Sequence, residues 1–76
     1  MKPLAAILKD IRPEFDFTTS TDFILDGMLD SFDVVTLVAT LDETYGISID
    51  GVDILPENFR NLAVIEVLLR KYGVTP

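Results

Sequence analysis

Neither cysteine nor histidine occurs in the 76 residues. Their absence removes the usual zinc ligands, the thiol nucleophiles and the one side chain that titrates near neutral pH. Most enzyme chemistries therefore lack their reacting groups, and no disulfide can reinforce the fold. Basic residues are scarce: six Lys and Arg face thirteen Asp and Glu, for a net charge of -7. That balance disfavours nucleic acid and anionic membrane surfaces and favours protein partners with a basic docking face. No stretch approaches membrane-spanning length, and the opening Met1-Lys2-Pro3-Leu4 lacks the apolar run of a signal peptide. The expectation is a cytoplasmic protein without membrane insertion.

What is present is a foldable chain. Hydrophobic residues make up 49% of the sequence and prolines number four, which is not the composition of a disordered segment. The length suits one domain over residues 1–76, with a core too small to give more than marginal stability. Leu4, Ile7, Leu8 and Ile11 fall at the spacing of one helical stripe, which Pro13 then ends or kinks. From Glu14 to Leu29 the pattern loses its period, and the Thr18-Thr19-Ser20-Thr21 run with Gly27 reads as a long loop anchored by Phe15, Phe17, Phe23 and Ile24. Loops of that length in compact domains usually have a functional reason.

The strongest helix runs from Asp30 or Ser31 to Tyr45, with Asp30 as N-cap, Asp33 as a second acid in the positive first turn and Gly46 as the left-handed stop. Beyond a turn at Asp50-Gly51, Pro56 opens a single helical turn through Phe59. A last helix over Leu62–Tyr72 follows, capped by Asn61 and stopped by Gly73. The predicted fold is all-α, a small four-helix bundle of three main helices, one short helix and a long first loop.

On the central helix Val34, Leu37, Val38, Leu41 and Tyr45 gather on one side as the core face. Phe32, Val35 and Ala39 point away from that stripe. Either they form an apolar docking patch ringed by acids, or Phe32 tucks under the long loop and Val35 is simply exposed. Ser31, directly after Asp30, also has two readings. It stands where free backbone N–H groups and the helix dipole favour a phosphate, yet serine is itself among the best capping residues.

Asp30-Ser31-Phe32-Asp33 followed by an apolar-rich helix resembles the acyl carrier protein family, whose members show an Asp-Ser pair at the start of the second helix. The Leu37, Leu41 and Tyr45 stripe, Ile47-Ser48-Ile49, Pro56-Glu57-Asn58-Phe59 and the closing amphipathic helix fall where the family's elements fall, and the long first loop does too. The resemblance implies a stand-alone, monomeric carrier that is not an enzyme. It implies that a phosphopantetheinyl transferase places 4'-phosphopantetheine, donated by coenzyme A, on Ser31. An acyl or aminoacyl cargo, loaded by a ligase or synthase, would then ride on the arm as a thioester. With no histidine to act as base, activation of the hydroxyl and the magnesium for phosphoryl transfer must come from the transferase. By the same analogy Asp30, Asp33, Asp42 and Glu43 would meet basic side chains of partners, and Phe32, Val35 and Ala39 would supply apolar contacts. Housekeeping fatty-acid carriers read Asp-Leu-Gly-x-Asp-Ser, whereas this chain reads Asp26-Gly27-Met28-Leu29-Asp30-Ser31-Phe32, with Thr36 and Ala39 where glutamate and methionine are common. That form is similar to dedicated carriers, including those loaded by adenylate-forming ligases.

Three rivals follow from the same residues. An unmodified helical interaction module would use the Phe32-Val35-Ala39 patch alone. Calcium loops at Asp22, Asp26 and Gly27, or at Asp50, Gly51, Asp53 and Glu57, lack the required ligand spacing. A hydrolase built on Ser31 with Asp30 or Asp33 cannot place a base and an oxyanion site around one hydroxyl from adjacent residues of one turn.

Overall fold

A computed structural model describes residues 3–75; Met1 and Lys2, on which the signal-peptide reading partly falls, lie outside the described residues, as does Pro76. Three α-helices, α1 (Leu4–Ile11), α2 (Ser31–Tyr45) and α3 (Leu62–Lys71), pack with two single 3-10 turns, Gly51–Asp53 and Pro56–Asn58. No strand occurs among the described residues, and no helix is long and apolar enough to cross a membrane. The short element expected at Pro56 is thus a 3-10 turn, and Tyr72 caps α3 instead of belonging to it.

The helical stripes account for the core. Leu4, Ile7 and Leu8 of α1, Val34, Leu37, Val38 and Leu41 of α2, and Ile65, Leu68 and Leu69 of α3 are all buried, and Phe59 closes the space beside them. Gly46, at φ 65°, ends α2 as expected. The Ile47 N–H donates to the Asp42 carbonyl at 3.1 Å, which is the long bond of a Schellman ending, and the half-buried Ile47 packs against the core.

The long first loop is a built structure. Phe17 and Phe23 are buried and meet edge to face with ring centroids 4.9 Å apart, and Phe15 stacks edge-on against Phe17 at 6.3 Å. Asp22 Oδ1 accepts from the N–H groups of Ile24 and Leu25 at 3.1 and 3.0 Å and so caps a single turn. Gly27, at φ 71°, closes that turn: the Met28 N–H reaches back to the Phe23 carbonyl at 2.8 Å, a conformation that a side chain at residue 27 would strain. The carboxylate once considered for calcium is therefore spent on the backbone. Two hydrogen bonds fasten the loop to the start of α3, from the Phe23 N–H to the Arg60 carbonyl and from Asn61 Nδ2 to the Thr21 carbonyl. Met28 and Leu29 then enter the core just before α2 begins. Such anchoring fixes where the chain delivers Asp30 and Ser31.

Candidate functional site

The mouth of α2 is organised by a reciprocal cap. Asp30 Oδ1 accepts from the Asp33 N–H at 2.9 Å, and Asp33 Oδ2 accepts from the Asp30 N–H at 3.1 Å. Asp30 is the N-cap, in extended conformation, so the hydroxyl of Ser31 is not needed for capping. Ser31 is exposed, and no partner engages its hydroxyl among the described residues. The N–H groups of Ser31 and Phe32, the first two of the helix, have no intrahelical acceptor and open towards solvent at the positive end of the dipole. An exposed hydroxyl beside two free donors fits a serine-linked phosphodiester in access and in hydrogen-bond donors.

A cation left out of the sequence reading completes the mouth. Arg12, the C-cap of α1, donates from Nε to Asp33 Oδ2 at 2.9 Å, and its Nη2 lies 2.8 Å from the same oxygen. Nη2 also lies 3.4 Å from Asp30 Oδ2, and Nη1 lies 3.5 Å from Glu14 Oε2. The Asp33 side chain is only 13% exposed, against 57% for Asp30. Partial burial by itself would push the Asp33 carboxyl up; hydrogen bonds from Arg12 and the Asp30 amide, with the charge of Arg12, outweigh it and hold the group below the ordinary carboxylate value. The hydrogen bond and charge of Asp33 in turn raise Arg12 above its ordinary value. The available signal was a lone arginine just after α1 in a segment otherwise rich in acids.

The remaining predicted residues divide by exposure. Phe32 is 82% exposed and Val35 64%, with Ala39 exposed on the following turn, so the patch faces solvent and Phe32 is not tucked under the loop. Glu43 is exposed as well. Asp42 is half-buried, and its Oδ1 accepts from the Ile49 N–H at 3.0 Å, so that carboxylate ties down the chain after α2. Asp33 is likewise held from within. A groove of about 400 Å³ between the first loop and the Pro56 turn is lined by Asp22, Ile24, Leu25, Pro56, Glu57 and Arg60 and does not include Ser31. The serine is thus reached from open solvent and not from within that groove.

A helix mouth that offers an exposed hydroxyl and free N–H donors suits a domain that is modified there. Comparison with family models agrees: residues 3–73 match the family described as the phosphopantetheine attachment site. The chain belongs to that family, the carrier domains that hold 4'-phosphopantetheine covalently on a serine and are themselves non-catalytic. Comparison with curated proteins and with solved structures finds no match.

Proposed function

We propose that this single domain is an acyl carrier protein whose arm is attached at Ser31, and that it shuttles an acyl or aminoacyl cargo between partner enzymes. The observation that carries the reading is the freedom of the Ser31 hydroxyl at a helix mouth already capped by Asp30. Of the other two serines, Ser20 donates to Asp26 and accepts from the Asp22 N–H, and Ser48 lies in the segment after α2, away from any helix start. Ser31 Oγ attacks the phosphorus of coenzyme A that bears the pantetheine; the bond to the second phosphate breaks, adenosine 3',5'-bisphosphate leaves, and the hydroxyl proton passes to a base on the transferase. The free N–H groups of Ser31 and Phe32 would be the donors available to the phosphate of the arm. When bound, the arm supplies a thiol that holds the cargo as a thioester.

Docking is assigned to Phe32, Val35 and Ala39 as the apolar centre, with Asp30 and Glu43 as charged rim. Asp33 and Asp42, held by intramolecular partners, add to the negative field and not to direct contact. Rim charges chiefly raise association rates and respond to salt, which suits a carrier that must leave each partner quickly. The phosphopantetheinyl transferase and the loading ligase or synthase are accordingly partners with basic faces. Incubation of the apo-protein with coenzyme A, magnesium and a broad-specificity transferase should add the mass of one phosphopantetheine, and Ser31→Ala should gain nothing. Full modification of the alanine variant would refute the assignment.

A further inference from the structure

Placing a phosphate between two carboxylates is electrostatically unfavourable, and Ser31 stands between Asp30 and Asp33 in sequence and in the same helical turn. Arg12 is the cation that answers both. It contacts each of them, one at 2.8 Å and one at 3.4 Å, and it reaches them from a different element, the end of α1. The capping box holds the two acids beside Ser31.

We propose that Arg12 is a positioning residue for modification of Ser31: it holds the Asp30–Asp33 pair and offsets part of its charge, so that the incoming pyrophosphate meets a less negative mouth with free N–H donors. This rests on Ser31 being the modified residue. Without the cation, two carboxylates flank the path of an anionic donor, and the reaction, more than the docking of the two proteins, suffers. Uncovered acids strengthen attraction to a basic transferase, so KM for the carrier holds or falls while kcat drops. Arg12 thereby acts through Asp30 and Asp33 and touches no reacting atom.

The test measures initial loading rates for wild type, Arg12→Gln, Arg12→Lys and Arg12→Gln/Asp33→Asn, over a range of carrier concentrations and at two ionic strengths, with melting curves for each. Arg12→Gln should lower kcat about three- to tenfold without raising KM, and added salt should narrow the deficit. Arg12→Lys, which keeps the charge and loses the planar fork, should recover most of the rate despite a lower melting temperature. Removing the uncovered charge in Arg12→Gln/Asp33→Asn should recover kcat as well. A purely structural role predicts that loading follows the melting temperature and that the double variant is the worst of the set. That pattern, wild-type loading by Arg12→Gln, or failure of Asp33→Asn to rescue, would overturn the proposal. If wild type itself is not loaded, the assignment of Ser31 fails and takes this inference with it; if wild type loads and only the Arg12 pattern fails, the assignment stands.

Discussion

Two knots of charge and hydrogen bonding hold this small domain, one at the start of α2 and one at the end of α3, and they are built alike. At the first, Arg12 from the end of α1 grips Asp33, which also caps the helix. At the second, Asp53 in the 3-10 turn receives Lys71 Nζ at 2.8 and 2.9 Å and the Tyr72 hydroxyl at 2.6 Å, and that hydroxyl in turn accepts from the Asp50 N–H at 2.8 Å. Each uses one carboxylate to tie a helix end to a connecting segment. The difference lies in what stands beside them. The first borders an unengaged serine at a helix mouth, with two free N–H groups and an exposed phenylalanine; at the second the serine nearest in sequence, Ser48, stands at no α-helix start. Similar stitching is therefore structural in one place and, on the proposed function, part of a site in the other, and an ion pair alone does not distinguish them.

The largest perturbation should come from the pin between these regions. Phe23 is fully buried, its ring packs on Phe17, and its backbone joins the first loop to α3. Phe23→Ala should cost about 3–5 kcal/mol, comparable to the whole net stability of a domain this size. Urea unfolding followed by helical circular dichroism would show a chain largely unfolded in water, and Phe23→Leu would keep the loss measurable. A loss below about 1 kcal/mol for the alanine variant would mean that the loop is not part of the core.

A smaller and more selective effect is expected at the second knot. Asp53→Asn removes the partner charge of Lys71 and weakens the acceptor of the Tyr72 hydroxyl, so the melting temperature should fall. Phosphopantetheine loading by the transferase, measured well below that temperature, should match wild type. Impaired loading would show that the end of α3 communicates with the mouth of α2 and would erase the distinction between the two knots.

Much of this was legible in the sequence for a simple reason: periodicity reports burial. The apolar stripes located all three helices, and Asp30, Asn61, Gly46 and Gly73 marked their ends, because caps and left-handed stops are local. Val35 was readable as exposed from helical geometry, which left Phe32 open between solvent and the first loop. The single turn from Asp22 to Gly27 was not, since one turn is too short to show a period, and its identity rests on Asx capping and a φ of 71°. Met28 and Leu29 escaped for the same reason. Arg12 escaped because its partners are 18 and 21 residues away, a distance that no local pattern encodes. The same blindness left Asp33 reading as a partner-facing acid, whereas the carboxylate of Asp42 is taken more locally, by the Ile49 N–H seven residues on.

The mildest test compares how acid acts on the two knots. Hydrogen bonding and charge hold the carboxyls of Asp33, against its partial burial, and of Asp53, through Lys71 and Tyr72, below their ordinary value. A carboxyl with a depressed folded value stabilises the fold above its unfolded value, and loses that contribution as pH falls through the folded one. The stability of wild type minus that of Asp33→Asn should therefore be largest near neutral pH and shrink below about pH 4, and the same should hold for Asp53→Asn. Relief of repulsion in a chain of net charge -7 also changes stability over this range, but it is nearly common to each pair and largely cancels in the difference. Urea midpoints for the three proteins across pH 3 to 7, a span set by ordinary carboxylate values of about 4, would give the two curves. Closure of the Asp53 gap alone, with an Asp33 gap that is flat with pH, would mean that Arg12 does not hold its carboxylate in solution, and the helix mouth would then carry its acids uncovered.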